Sequence, residues 1–261
     1  MLRSLYTAAT GMEAQEVKMD VIAHNLANTA TTGFKKTRAE FEDLLSETIR
    51  AAAPPSPQGG GNPTALQVGL GVRTVSTTRS MAQGDLLNTQ NPLDVAIEGN
   101  GYFQIQRANG EAAYTRAGNF RVDSAGRLVT QMGELVEPGI TIPPETTALT
   151  FRSDGQVLAR MPGRDDEIEL GTLDLVIFPN PGGLEALGGN LLGKTSASGE
   201  PQVVHPGELG TGTLAQGYLE GANVKAVEEM IDMITTQRAY EMNSKVIQTA
   251  DQMLQKLTNL R

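Results

Sequence analysis

The chain has no cysteine and no tryptophan, and only 11 of its 261 residues are Phe or Tyr. Without cysteine there is no disulfide, no thiolate-held zinc or iron-sulfur cluster and no thiol nucleophile. That composition suits an oxidising compartment. An aromatic content of 4% leaves little surface for stacking bases, and a net charge of −9 repels phosphate backbones, so nucleic acid is not a partner on this reading. Two histidines, His24 and His205, cannot supply a three-histidine metal site, and neither has a second histidine at helical spacing. His24 reads as a polar group near a helix end and His205 as an exposed turn residue. No stretch approaches the roughly 18 to 20 apolar residues of a membrane-spanning helix, so no membrane insertion is expected. The opening residues MLRSLYTAAT lack the basic segment and apolar run of a secretory signal, and Glu13, Glu16 and Asp20 interrupt the turns that follow. Any export is therefore expected to use a route that reads no cleaved signal.

What is present is a chain that is 39% hydrophobic, enough for a core built from Leu, Ile, Val, Met and Ala. The two ends are helical in pattern. Leu5, Ala8, Met12, Gln15, Met19, Ile22 and Leu26 follow a 3-4 spacing with one polar exception, predicting a helix with a narrow apolar seam. Its stop is expected between Asn28 and Gly33, where turn chemistry and a residue tolerant of positive φ occur together. Phe34, Phe41, Leu44 and Leu45 suggest a shorter second helix. At the other end, residues 223–260 contain no Gly or Pro and predict one helix of about 57 Å. Ala226, Met230, Met233, Gln237, Tyr240, Ser244, Ile247, Leu254 and Leu257 form one stripe; Val227, Ile231, Ile234, Met242, Val246, Met253 and Leu260 form another. One partner cannot cover both, and large uncovered apolar faces mark interfaces. Residues 1–45 and 217–261 each carry five basic and six acidic groups, leaving −7 on the middle. Nearly neutral ends can pack together while the acidic middle stays hydrated.

Residues 51–63 hold four prolines and three glycines and predict an extended linker. Beyond it come short alternating runs: 68–75, 94–97, 102–105, 120–122, 128–131, 149–151, 156–159 and 173–178. Asn109-Gly110, Ala125-Gly126 and Asp154-Gly155 read as hairpin turns between them. The expected fold is α+β: long N- and C-terminal helices pairing as a coiled-coil-like domain, with an all-β domain inserted between them. The expected boundaries are 1–45 plus 217–261 for a discontinuous helical core, 46–65 for a Pro/Gly-rich extended stretch, and 66–216 for the β-rich domain.

Catalytic patterns are weak. Gly188 to Thr195 matches the phosphate-loop pattern G-x-x-x-x-G-K-[ST], which works only where a strand ends at the first Gly and a helix starts at the Lys. Here the preceding apolar run ends at Phe178, while Gly199 and Pro201 leave no room for a helix, so the segment reads as loop and turn. The acidic cluster Asp165, Asp166, Glu167 and Glu169 lacks aromatic surface for a sugar and reads as a solvated hairpin. No Gly-x-Ser-x-Gly elbow occurs.

The sequence of the first helix exit, Ala27-Asn28-Thr29-Ala30-Thr31-Thr32-Gly33-Phe34-Lys35, resembles the A-N-x-x-T-x-G-F-K motif of the flagellar rod and hook axial proteins. Further marks of that family follow in order: Asp94-Val95-Ala96-Ile97, Gly99 and Gly101-Tyr102-Phe103; Tyr114-Thr115-Arg116, Gly118 and Phe120; Asp123, Gly126, Leu128-Val129-Thr130 and Gly133. Near the end come Gly217-Tyr218-Leu219-Glu220, Asn223-Val224, Gln237-Arg238-Ala239-Tyr240-Glu241 and Asp251-Gln252-Met253-Leu254. The resemblance runs end to end and is strongest to the distal-rod branch, through length, the unbroken C-terminal helix and an inserted stretch at 46–65. That stretch is unusually rich in Ala, Pro and Gly, and Tyr102-Phe103 stands where Phe-Phe is common.

The resemblance implies a structural subunit without enzymatic activity or cofactor. It would leave through the flagellar type III export apparatus without signal cleavage and polymerise helically with itself into a hollow, torque-transmitting shaft across the periplasm. Its other partners would be proximal rod and hook axial proteins and the surrounding bushing rings. Subunit-interface positions are then expected at Leu5, Met12, Met19, Ile22, Leu26, Met230, Ile234, Tyr240, Ile247, Leu254 and Leu257. Asn28, Thr31, Gly33 and Phe34 are expected to build the turn that fixes the helix exit. Other readings at this point are a proximal rod or hook subunit, or a periplasmic carbohydrate-binding or processing β domain.

Overall fold

The structure, a computed structural model, describes residues 2–52, 64–163 and 167–259. Helix α1 spans Leu2–Ala27, followed by strands β1 (Thr37–Asp43), β2 (Glu47–Arg50), β3 (Leu66–Val68), β4 (Val72–Arg79), β5 (Leu86–Asn88) and β6 (Val95–Glu98). Next come β7 (Phe103–Gln106), β8 (Ala112–Thr115), β9 (Arg121–Val122), β10 (Leu128–Val129), β11 (Leu135–Val136), β12 (Ala148–Phe151) and β13 (Gln156–Arg160). The last strands are β14 (Glu167–Thr172), β15 (Leu175–Ile177), β16 (Glu185–Gly188), β17 (Leu191–Gly193), β18 (Gln202–Val204), β19 (Thr213–Gln216) and β20 (Tyr218–Glu220), before helix α2 at Ala226–Asn259. The fold is α+β, with the two terminal helices packed on each other and strands between them in sequence.

The chain divides into two compact units. The first comprises residues 1–26, 37–78 and 225–261, and the second residues 27–36 and 79–224. In the first, α1 and α2 meet through small and polar groups. A Cβ added to Gly11 would lie 2.9 Å from Asn243 Nδ2, so the side chain of Asn243 on α2 packs directly over Gly11 of α1. Near the end of α1, Asn25 Nδ2 donates to Glu229 Oε2 (3.1 Å) and to the Thr37 carbonyl (2.8 Å), while Asn25 Oδ1 accepts from the Thr37 amide (2.9 Å). One buried amide thus ties α1 to α2 and to the start of β1.

The second unit is built on a seven-stranded sheet, order β16-β17-β8-β7-β11-β10-β9, and a three-stranded sheet, order β12-β13-β14. Alternation explains β7: Phe103 and Ile105 are fully buried, Gln106 is exposed and Gln104 half-buried. Asn109-Gly110, Ala125-Gly126 and Asp154-Gly155 do close the hairpins β7–β8, β9–β10 and β12–β13. Val95, Ile97, Phe103, Ile105, Phe120, Leu128, Val157 and Leu175 form the centre of the core, with Phe103 and Phe120 edge to face at 5.0 Å.

Three expectations are corrected. The segment after Phe34 is not a second helix but β1, which buries Ala39 and exchanges Glu42–Arg73 and Glu40–Thr78 contacts with β4. Cross-strand pairing overrode the local apolar spacing. The run 68–75 is broken at Gly71, with φ of +119°, so β3 pairs with β2 and β4 with β1. The segment resembling a phosphate loop is the hairpin β16–β17, turning through Gly188, Gly189 and Asn190, all at positive φ. Lys194 beyond it pairs with Glu200 at 3.0 Å. Most of the 51–63 linker (53–63), and Asp165 and Asp166 of the acidic cluster, lie outside the described residues; Glu167 and Glu169 sit on β14.

Candidate assembly surface and motif junction

The scattered motif residues of the second unit converge. After α1 ends, the Thr31 amide donates to the Asn28 carbonyl (3.1 Å), Thr31 Oγ1 donates to Asn28 Oδ1 (3.1 Å), and the Phe34 amide donates to the Thr31 carbonyl (3.2 Å). Gly33 has φ of +70°, and its amide donates to the Glu220 carbonyl at 2.8 Å. A Cβ there would fall 2.9 Å from the backbone of Arg116 and Ala117, so both conformation and space demand glycine. This turn delivers Lys35 to the interior. Its ammonium donates to Glu220 Oε1 at 2.6 Å and to the Ala82 carbonyl at 2.7 Å. Glu220 Oε1 also accepts the Gly84 amide (3.0 Å), and Arg116 Nη1 lies 3.6 Å from Glu220 Oε2.

Lys35, Arg116 and Glu220 are 4%, 5% and 0% exposed, so two cations share one anion out of water. Burial pushes the Lys35 ammonium below the usual lysine range and the Arg116 charge pushes the same way, while the bond to Glu220 opposes both. Arg116 Nη2 donates to the Gly99 carbonyl (2.5 Å), and its guanidinium lies over the Tyr102 ring at 5.6 Å. Asn223 completes the junction: its Oδ1 accepts the Lys36 amide (2.6 Å), and its Nδ2 donates to the Ser80 and Ala82 carbonyls (3.0 and 2.9 Å). The arrangement can hold backbone segments 28–36, 80–84 and 218–223 in one geometry. Among the described residues no group of three His, Cys, Asp or Glu is placed to hold a metal ion.

Among the described residues of α2, the buried side chains are Glu229, Thr236 and Ala250, with Met233, Asn243, Ile247 and Leu254 half-buried beside them. Their 3-4 spacing describes one side of the helix. On roughly the opposite side, Val227, Ile231, Ile234, Met242, Val246 and Met253 are 44–66% exposed. Helix α2 is 34 residues, about 51 Å, and carries this row along most of its length.

Of the interface positions expected from the sequence, Ile22 is buried and Leu5, Met12, Met19, Leu26, Ile247 and Leu254 are half-buried. Met230, Ile234 and Tyr240 are exposed, and Leu257 is placed by its backbone in α2. Asn28, Thr31, Gly33 and Phe34 are brought together in the helix-exit turn. Sequence reasoning missed the meeting of Lys35, Arg116 and Glu220, although charged residues within otherwise apolar and glycine-rich motifs were a usable signal. It also missed Asn25 and Glu229. His205 is exposed but bonded through Nδ1 to Asp174 at 2.7 Å, and His24 lies exposed in the last turn of α1.

Two terminal helices packed on each other, a β-rich middle between them in sequence and a motif-built turn after the first helix are the features of an axial subunit of the flagellar rod and hook class. Three family models match: a flagella basal body rod protein model over residues 5–35, a flagellar hook protein FlgE/F/G D1 domain over 96–159, and a flagellar basal body rod FlgEFG protein C-terminal model over 215–260. The chain is 50% identical over 261 residues to the flagellar basal-body rod protein FlgG of Caulobacter vibrioides, and 48% over 260 residues to that of Buchnera aphidicola from Schizaphis graminum, each covering 100% of both chains. It is 40% identical over 269 residues to the FlgG of Bacillus subtilis, again over the whole of both chains. The chain belongs to the FlgG family of flagellar basal-body rod proteins and is a structural subunit of that rod. Among the described residues no helix is long and apolar enough to cross a membrane.

Proposed function

We propose that this chain is a non-catalytic subunit of the distal rod, polymerising helically with itself into a rigid hollow shaft that carries torque from motor to hook across the periplasm. Its other partners on this reading are proximal rod and hook axial proteins at the two ends of the shaft, the surrounding bushing rings, and the type III export apparatus. No cofactor takes part. The observation that supports this is the exposed apolar row Val227, Ile231, Ile234, Met242, Val246 and Met253 on α2. An open helical assembly needs two different faces of each subunit to meet, and α2 has one face turned to α1 and another left for neighbours. Full-length Ile231→Asp/Ile234→Asp is expected to keep the monomer's melting behaviour, because surface changes shift stability by only about 0.5 kcal/mol, yet to lose polymer by sedimentation and motility in complementation. Normal polymer from this variant would sink the reading.

A further inference from the structure

The loop joining β18 to β19, residues 205–212, carries an exposed hydrophobic side chain on a strained backbone. Leu209 is 80% exposed and has φ of +48°, a conformation disfavoured for any residue with a Cβ. The loop holds it there firmly. The Gly207 amide donates to the Gly212 carbonyl (3.0 Å), the Thr211 amide and Oγ1 donate to the Glu208 carbonyl (2.8 and 2.6 Å), and Thr211 Oγ1 donates to the His205 carbonyl (3.0 Å). Pro206 at its base is buried. A strained, fixed and solvent-facing leucine gains nothing within the subunit.

The same unit carries a groove of about 720 Å³, lined by Leu93, Val122, Ile142, Pro143, Pro144 and Leu149. Loop and groove lie at opposite ends of one strand pair. In the β6–β19 ladder Thr213 faces Glu98 at the loop end, and Gln216 faces Val95 at the groove end. Gln216 Nε2 there donates to the carbonyls of Pro92 and Leu149, both groove residues, at 2.8 Å. A charged contact is possible as well. Arg127 bridges the groove residue Thr141 and lies beside the groove, its Nε and Nη2 on the groove residue Asp123, so that Nη1 can take a further carboxylate, and the loop supplies one in Glu208.

We propose that Leu209 of one copy seats in this groove on the next copy, with Glu208 meeting Arg127, as a head-to-tail contact between β units in the polymer. The proposal rests on the reading of the chain as a self-polymerising subunit. Two ends of one ladder bearing complementary surfaces form a heterologous contact, which propagates rather than closing on itself. Because the chain has no native cysteine, the test is direct: full-length Leu209→Cys/Ala148→Cys is polymerised, oxidised and run without reductant, beside each single variant.

A ladder of multimers from the double variant, absent from both single variants, is the expected result. Polymer without a ladder overturns the loop contact and leaves the rod reading standing, as does cross-linking only to a protein of different mass. Failure of the unsubstituted chain to polymerise would remove the rod reading and this contact together. In parallel, Leu209→Gly relieves the backbone strain, so the monomer's melting temperature is expected to hold or rise while the concentration needed for polymer increases about tenfold. Polymerisation of that variant at the unsubstituted concentration would equally overturn the proposal.

Discussion

The two units bury different chemistry. In the first, the buried apolar side chains among the described residues are Ala8, Ala14, Ala39 and Ala250 with Ile22 alone as a large one, and the rest of its interior is polar: Asn25, Glu229 and Thr236. In the second, Phe103, Phe120, Tyr114, Ile97, Ile105 and many other large side chains are almost wholly enclosed. Burial of each large side chain stabilises by about 1.5–3 kcal/mol, so the β unit holds its own fold while the helical unit gains comparatively little within one copy. Small residues allow the helices to approach closely, and the apolar surface that would stabilise them faces outward. On the function proposed above, the β unit is complete in one copy and the helical unit is completed by neighbouring copies.

The comparison can be broken most severely in the β core. Phe103→Ala, at 0% exposure against Phe120, is expected to cost about 3–5 kcal/mol, read as loss of the β unit's urea transition. Met242→Ala, at 62% exposure on α2, is expected to change monomer stability by no more than about 0.5 kcal/mol. Equal losses from the two would contradict the contrast between units. Glu220→Ala leaves Lys35 and Arg116 buried without their anion and is expected to cost about 3–5 kcal/mol; a melting curve unchanged from the unsubstituted chain would show that the junction contributes nothing.

Gly33→Val places a β-branched residue at φ of +70° against the backbone of Arg116 and Ala117. An expected loss of at least about 1–2 kcal/mol, with reduced polymer yield, separates a required turn from a tolerant one. The smallest effect lies in the β9–β10 hairpin. The Arg127 amide, chiefly, then the Arg127 guanidinium and Ala125 amide hold the Asp123 carboxyl below its ordinary 3.8. A depressed carboxyl stabilises the fold above its unfolded value and that contribution disappears as pH falls through the lower folded value. The urea midpoint should therefore drop less on acidification in Asp123→Asn than in the unsubstituted chain, and parallel curves would remove Asp123 from the account.

Much of the architecture was legible because it depends on local pattern. Freedom from Gly and Pro over the C-terminal residues and the 3-4 spacing of Leu5 to Leu26 predicted α1 and α2, and Asn-Gly, Ala-Gly and Asp-Gly pairs predicted three hairpins. The outward row of α2 was also visible as a second stripe. The inward row was legible only in part: Met233, Ile247 and Leu254 fell on the first stripe, whereas Glu229, Thr236, Asn243 and Ala250 are polar or small and carry no hydrophobic signal. The β1 segment was misread as helix because Phe34, Phe41, Leu44 and Leu45 suggest a face, whereas the deciding interaction is with β4, which lies some thirty residues on.

By itself the sequence determined the two terminal helices and three hairpins, where the chain must turn at Gly33, and which motifs this chain shares with its family, because each depends on neighbouring residues. Only the tertiary structure decided that Lys35, Arg116 and Glu220 share one buried site, that Asn25 reaches both Thr37 and Glu229, and which side of α2 faces α1. Those outcomes depend on groups as many as 204 positions apart in the chain, and no local periodicity carries the sum of desolvation, hydrogen bonding and steric fit that selects them.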